Sequence, residues 1–390
     1  MGVIAGAATD AFAIDGVAPR ERVSPRDAAE VRDAIRAANA AREALVIWGG
    51  GTRIDIGDAP ERYDVALDLR GLSGVVAHEP ADLTVTVRAG TTLADLAKVL
   101  APHRQWWPVE VAHPERATVG GTIAGAAGGP SRYRYLHPRD WTIGVQAVLG
   151  DGTLTRAGGR VVKNVTGYDL TKLYSGSYGT LCALTEVTLK LTPLPSTTLT
   201  LRADLPDLAH AYRVGRELLR ERLPLDAIAV ASGPAAQALA PTWAALFIRV
   251  AGNAASVARL REAAARTVGR LVEDDASVWG RIAALPADAR TSARGTWPPA
   301  RPVEPYAADV VWYPGLETAH LMDEQEGPEL LAAVRGVAET QAGALVLERG
   351  PAELRRALGT WGTARIPKTI ADGLRARFDP NGVLAPGRMP

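Results

Sequence analysis

Glycine is distributed along the first half of this chain in a way that leaves few folds open to it. An apolar run, Ala44-Leu45-Val46-Ile47-Trp48, ends directly on Gly49-Gly50-Gly51-Thr52-Arg53. A second segment, Thr118-Val119-Gly120-Gly121-Thr122-Ile123-Ala124-Gly125, continues through Gly128 and Gly129 with mostly small residues between. A third runs Lys163-Asn164-Val165-Thr166-Gly167-Tyr168-Asp169-Leu170, then Gly176-Ser177-Tyr178-Gly179-Thr180. Glycine permits positive φ and presents backbone N–H groups without a side chain in the way. A run of such donors makes a nest for an anion such as a pyrophosphate. The stretch Thr118–Pro130 carries too little side chain to cover itself, so a flat ring system or a dinucleotide is expected against it. The order and spacing of the segments point to one long, charged, planar ligand touched at several places. Each segment also has a plainer reading: a strand-to-turn connection at Gly49–Arg53, a tight hairpin at Thr118–Pro130, a surface loop at Lys163–Asp169.

Two common phosphate motifs are excluded. A G-x-G-x-x-G fingerprint starting at Gly49 needs glycine at position 54, where Ile54 stands. No G-x-x-x-x-G-K-[ST] occurs either, so neither the dinucleotide fingerprint nor the P-loop applies. Charge excludes more. With 44 basic and 43 acidic residues and no dense Lys/Arg run, the charge balance gives no electrostatic reason to expect nucleic acid or an anionic membrane as partner. Cys182 is the single cysteine, which rules out a disulfide framework, a zinc site of CxxC type and a cysteine-ligated iron–sulfur cluster within this chain. The lone thiol is expected to be a small buried apolar group. The N-terminus lacks the basic and apolar regions of a signal peptide, and no stretch has the length of a transmembrane helix. The expected location is cytoplasmic.

The length of 390 residues predicts two or three domains. Ser24-Pro25-Arg26-Asp27 predicts a helix start with Ser24 as N-cap and Pro25 first inside, the helix running to about Ala41. Strands are predicted at Leu45–Trp48 and Val65–Leu69. Leu83–Arg88 alternates and predicts a half-buried strand. Thr92–Leu100 predicts a short helix capped by Thr91 or Thr92. Val145–Leu149 and Thr153–Thr155 flank Asp151-Gly152 as a hairpin. Leu184–Leu191 is a further strand, and Pro193 and Pro195 mark a boundary. Beyond it, strand and helix signals alternate at Thr198–Arg202, Leu208–Glu221, Ala227–Ala231, Ala244–Val250 and Ala254–Val268. Ser292–Pro305, rich in Pro, Arg and Gly, predicts an irregular loop. Val310–Trp312, Glu329–Gln341, Ala344–Glu348 and the helix Ile370–Arg377 follow.

Taken together, these residues resemble the vanillyl-alcohol-oxidase-like flavoproteins, which carry a PCMH-type FAD-binding domain. The resemblance rests on Gly49–Arg53, on the Thr118–Gly121 segment and on Gly176-Ser177-Tyr178-Gly179-Thr180-Leu181-Cys182-Ala183-Leu184-Thr185-Glu186-Val187-Thr188-Leu189-Lys190-Leu191. It covers about residues 20–195, with Cys182 where the family has glycine, and the tail Phe378–Met389 is similar to the family's C-terminal signature. It implies an α+β fold: a PCMH-type FAD-binding domain at 1–196, in two α/β lobes (about 1–73 and 74–196), an α/β cap domain at 197–360, and a C-terminal segment, 361–390, returning to the FAD domain. It implies FAD, bound non-covalently because no histidine stands in Gly49–Arg53. The residues it assigns to FAD are Gly49, Gly50, Gly51, Thr52 and Arg53 in the first loop, then Thr118, Gly120, Gly121, Thr122, Ala124 and Gly125 in the second. Lys163, Asn164, Gly167 and Asp169 follow in the third, with Gly179, Glu186 and Val187 beyond it.

Within the family, the block Val161–Leu170 looks most like the FAD-binding subunit of glycolate oxidases. That likeness implies a 2-hydroxy-acid substrate, a larger flavoprotein subunit and an iron–sulfur subunit as partners, and a location peripheral to the inner membrane through them. The chain departs from the catalytic 2-hydroxy-acid dehydrogenases of the family. They carry a G-E-H-G segment and paired metal-binding histidines, whereas His210 and His320 stand apart here with no neighbouring Glu-His. No metal site is expected. His113, before a proline, reads as structural. Arg132 and Tyr133 are candidate substrate contacts, although the block Ser131–Arg139 also reads as a solvated loop or a docking face. Trp312 and Tyr313 either roof the flavin or lie in a core. No residue is assigned as catalytic. Three functions stay open: the FAD-binding subunit of a glycolate-oxidising complex, a self-sufficient oxidoreductase of another hydroxylated substrate, and a scaffold.

Overall fold

The computed structural model describes residues 2–5, 7–159, 168–298, 309–323, 328–363 and 366–389. Leu45–Trp48 lies parallel to Val65–Asp68, which lies parallel to Glu21–Ser24, and Gly2–Ala5 completes this four-stranded sheet by antiparallel pairing. Helix Ala28–Ala41 buries Val31, Ala34, Ile35 and Ala38. Its cap is Asp27, whose carboxylate accepts from the Glu30 N–H at 2.8 Å. The expected cap at Ser24 is therefore corrected. Glu21–Val23 pair with Val65–Leu67, which keeps Ser24 in extended backbone, and the helix starts three residues later.

A second sheet is antiparallel throughout, in the order Val75–Glu79, Thr84–Arg88, Cys182–Lys190, Thr142–Leu149, Leu154–Gly158. The hairpin around Asp151-Gly152 forms as its turn residues dictate, Gly152 taking φ +80°. Thr84–Arg88 is not half-buried: Val85 and Val87 enter the core, and Thr84 and Thr86 are buried as well. The threonine face satisfies itself across strands, the Thr86 and Thr188 hydroxyls meeting at 2.9 Å. Helix Leu93–Leu100 is capped by Thr92. The small-residue segment is neither strand nor hairpin. Val119–Ala124 forms a short helix, with Thr118 accepting from the Gly121 N–H at 3.2 Å. Gly120 has to be glycine because an added Cβ would sit 2.7 Å from the Ala89 Cβ.

The third sheet has eight antiparallel strands, in the order 272–274, 197–205, 244–252, 227–232, 310–313, 318–322, 292–296, 344–349. Helices Leu208–Arg220, Ala254–Val268 and Pro328–Thr340 cover one face and helices Pro234–Leu239 and Val278–Asp288 the other. Ser292–Thr296, expected as part of an irregular loop, is an interior strand between Thr318–Met322 and Ala344–Arg349. Pairing on both sides supplies the backbone bonds that Ser, Arg and Gly do not advertise. Of the rest of that expected loop, 299–305 lies outside the described residues.

The C-terminal tail returns to the first sheet. Leu45 N–H donates to Val383 O at 2.7 Å and Ala385 N–H to Leu45 O at 2.8 Å. Among the described residues no helix is long and apolar enough to cross a membrane. Cys182 begins its strand 2% exposed, and burial raises its thiol pKa. A maleimide is therefore expected to leave the native protein unlabelled and to label one site after denaturation, which mass spectrometry of intact protein would read directly.

Candidate functional site

Strand Leu45–Trp48 delivers the first glycine loop against the second. Trp48 anchors the turn: its Nε1–H donates to the Tyr63 hydroxyl at 2.6 Å, and that hydroxyl donates to Phe12 O at 3.0 Å. Gly51 turns at φ +71°. Gly50 passes so close to the chain before Thr118 that an added Cβ would stand 1.8 Å from Arg116 O. The two loops thus form opposite walls of one cleft.

That cleft is a concave, mostly apolar site, the usual character of a small-ligand pocket. Gly49–Arg53, Thr118, Gly120, Gly121, Ala124 and Gly125 line it, joined by Tyr178, Gly179 and Arg388. Its apolar end is made by Leu69, Ala89, Cys182 and Leu184. The loop leaving it, residues 54–58, is gripped from two sides. Arg388 donates to Ile56 O at 2.7 Å and to Asp58 O at 3.3 Å. Arg355 donates to Gly57 O at 3.2 Å and pairs with Asp15. Burial, with Arg355 as a like-charged neighbour, lowers the Arg388 pKa to about 10.

A second cavity lies beside the first, with Thr52, Arg53, Ile56 and Gly121 lining both. It extends past Glu110, Thr122, Gly128 and Gly129 to Tyr313, His320 and Glu348 on the eight-stranded sheet. Residues directly opposite in neighbouring strands share a face. His320 is opposite both Arg294 and Val311, so Arg294, His320 and Tyr313 all face the glycine loops.

Glu348 is the centre of this face. Its carboxylate accepts from Arg294 at 2.8 Å and from Arg53 at 3.1 Å, and His320 Nδ1 lies 3.5 Å away. Burial pushes its pKa up, but Arg53, Arg294 and His320 outweigh burial and hold the carboxyl well below its ordinary value of 4.5. Arg132 points the other way. Burial and the nearby cations Arg294 and Arg53 lower its pKa, and its Nε is buried without a hydrogen-bond partner. Arg53 Nε and Thr122 Oγ1 are likewise buried without a partner. Such groups are costly unless a ligand satisfies them. A long site with a glycine-walled cradle, an apolar end and orphaned donors at the far end fits an FAD molecule.

The structure gathers the first two sets of sequence-selected residues. Gly49–Arg53, Thr118, Gly120, Gly121, Ala124, Gly125 and Gly179 line the cleft, and Thr122 lines the cavity beyond it. Lys163, Asn164 and Gly167 lie outside the described residues. Asp169 stands apart on an exposed turn, bonded to Thr171 and 3.3 Å from Lys172. Val187 is fully buried in the second sheet's core, and Glu186 pairs across strands beside it, so neither is among the residues lining the cleft.

The block Ser131–Arg139 is not a solvated loop. Its short helix Arg132–Tyr135 packs on the eight-stranded sheet, with the Tyr135 hydroxyl donating to Asp226 at 2.7 Å. Tyr133 packs over Gly315, where an added Cβ would strike its ring at 2.2 Å, so it fills an interface rather than the cavity. Trp312 stacks on Tyr212 in the core at 4.5 Å, while Tyr313 lines the cavity. His113 bridges to Asp288 at 2.7 Å. Sequence reasoning missed Arg294, Glu348 and the role of His320, because three separate strands bring them together.

A family model described as an FAD binding domain matches residues 19–158. The glycolate oxidase subunit GlcE of Escherichia coli is 36% identical over 197 residues, 50% of this chain and 53% of that protein. The glycolate oxidase subunit GlcD of Bacillus subtilis is 34% identical over 42% of this chain and 34% of its own length. A D-lactate dehydrogenase of Archaeoglobus fulgidus is 34% identical over 45% of this chain and 40% of its own length. The matches thus span about half the curated relatives' length, or less. Among solved structures, p-cresol methylhydroxylase with substrate bound superposes with a TM-score of 0.72 at 16% identity, covering 95% of this chain and 88% of that one. An alkyldihydroxyacetonephosphate synthase gives 0.71 at 16% identity, covering 95% and 77%. At such identities the likeness is one of fold.

Proposed function

We propose that this chain, which carries an FAD binding domain across residues 19–158, is the FAD-binding subunit of an oxidoreductase that acts on 2-hydroxy acids. The observation that carries the reading is the adjacency of the two cavities, which have Arg53 and Gly121 as common lining residues. A long ligand held at the glycine loops would have the cationic face of the third sheet beside it. In this reading 1–196 is the FAD domain, 197–360 the cap domain and 361–390 a segment that returns to the FAD domain. No sheet is shared across position 196, which supports the division.

Bound FAD supplies a two-electron acceptor for a substrate C–H bond. The chain supplies position and charge. The glycine loops would present N–H groups to the pyrophosphate, and Leu69, Ala89 and Leu184 would supply apolar contact to the cofactor. Arg132, whose buried Nε has no hydrogen-bond partner, is the cation this reading assigns to the substrate carboxylate. Arg294 is already engaged by Glu348, and Arg53 stands at the junction with the cofactor. Tyr313, whose hydroxyl burial keeps protonated, closes the far wall. The proposed partners are a larger flavoprotein subunit and an iron–sulfur subunit. Cys182 is the single cysteine, so an iron–sulfur cluster would reside on another chain. A cytoplasmic location, peripheral to the inner membrane through those partners, belongs to the same reading.

The test is anaerobic mixing of the FAD-loaded protein with glycolate, D-lactate and D-2-hydroxyglutarate. The reading expects the visible flavin bands to bleach with at least one of them. Bands that persist with all three, in protein that holds FAD, would contradict it.

A further inference from the structure

His320 is on strand Thr318–Met322 and Glu348 on Ala344–Arg349, with Ser292–Thr296 between them. Neither residue belongs to a glycine segment, and both line the cavity proposed to hold substrate. His320 is 9% exposed. Its Nδ1 is buried, faces Glu348 Oε2 at 3.5 Å and has no other partner. The Tyr313 ring meets its ring edge-on at 5.5 Å. A carboxylate on Nδ1 selects the tautomer with the proton on Nδ1 and leaves the Nε2 lone pair as the acceptor. This is the base-plus-orienter arrangement of acid–base catalysis, and a contact that is long before substrate binds is usual for it.

We propose that His320 is the general base that removes the hydroxyl proton of the substrate, and that Glu348 is the positioning residue that fixes its ring. The inference rests on the 2-hydroxy-acid reading. As the O–H bond breaks, the proton is bound at His320 Nε2 and the oxygen's electron pair becomes the second C–O bond. The C2–H bond breaks with its electron pair passing to the flavin. Substrate becomes the 2-oxo acid, the flavin is reduced by two electrons, and the imidazolium later returns its proton to water.

The other titratable groups that line the cavity or lie near His320 are engaged or protonated. Glu110 pairs with Arg249 and accepts from the Ser131 N–H at 3.3 Å. Asp55 is at the exposed rim, 3.3 Å from Arg349. Tyr313 stays protonated. His137 does not line the cavity; its Nδ1 accepts from the Arg139 N–H at 3.3 Å. Arg53 and Arg294 hold Glu348 ionised, opposite His320, so a carboxylate faces the ring when it takes a proton.

The experiment uses FAD-loaded protein, wild type and His320→Gln. Reduction by the best 2-hydroxy acid is expected to rise with pH through one ionisation in the wild type. His320→Gln is expected to slow it by about 100-fold or more and to remove that pH dependence. A second readout needs no turnover. Oxalate, a non-oxidisable anion, is titrated against the flavin absorption bands. Its affinity is expected to fall as pH rises in the wild type, because the imidazolium attracts it, and to stay level in His320→Gln. FAD content and the thermal midpoint check that the variant is folded. If the variant does not hold FAD, the wild-type oxalate titration decides by itself: an affinity level with pH overturns the proposal. A variant that reduces within about threefold of wild type, with the same pH profile, also overturns it while leaving the 2-hydroxy-acid reading intact. Wild-type flavin that no 2-hydroxy acid reduces overturns both.

Discussion

Gly50→Ala is expected to lose FAD binding by about 100-fold or more, equivalent to at least about 2.7 kcal/mol. The added methyl would lie 1.8 Å from Arg116 O, 2.5 Å from the Arg116 carbonyl carbon and 3.2 Å from the Ala117 nitrogen. All three are backbone atoms, so no side chain can rotate away. The two walls of the cleft must move apart, and overpacking of this kind costs about 1–3 kcal/mol in stability alone. Cofactor affinity suffers further because donors on both walls lose their common target. Gly280→Ala is the matched control. It lies in helix Val278–Asp288 with nothing within 4 Å of an added Cβ, and alanine there should stabilise by up to about 1 kcal/mol. FAD fluorescence titration and urea unfolding separate the two effects.

Glu348→Gln is expected to destabilise the protein by about 3–5 kcal/mol, the cost of breaking a buried ion pair from one side. The substitution keeps the shape and leaves Arg53 and Arg294 facing each other without a carboxylate. Arg53 belongs to the first glycine loop and Arg294 to the eight-stranded sheet, so the loss falls on the junction between them. The pH dependence follows from the depressed pKa of Glu348, whose ordinary value is 4.5. A lowered folded-state pKa gives stability that is fully present above the unfolded value and is lost as pH falls through the folded one. The difference between wild type and variant should therefore be complete at neutral pH and shrink only in acid, below about 4.5. Urea unfolding at neutral and acid pH reads both. A difference that does not depend on pH would show that the charge of Glu348 is not what holds the junction.

The parts of this molecule that were readable in advance are those in which chemistry is local. Gly49–Arg53 and Thr118–Gly125 place several glycines within a few residues, and close backbone approach needs that wherever the partner lies. Asp151-Gly152 dictates its own turn. What the sequence hid is long-range. Ser24 looked like a cap because the sheet that holds it extended is completed by Val65–Leu67, some forty residues on. Ser292–Thr296 looked irregular because its regularity comes from the strands on either side. The charged face suffered most. Arg294, His320 and Glu348 are separate residues on three strands, and no spacing rule joins them. His320 read as an isolated histidine because its carboxylate partner is 28 positions further along the chain. The block Ser131–Arg139 read as solvated because its partner, Asp226, is in the other half of the molecule.

The most direct test of the central claim is the visible spectrum of the purified chain, recorded after incubation with FAD and removal of the excess, before and after anaerobic addition of a 2-hydroxy acid. The account expects flavin bands that stay with wild-type protein, are lost with Gly50→Ala, and bleach when the acid is added. A colourless wild-type protein that retains no FAD would contradict the assignment of the glycine-walled cleft and everything built on it.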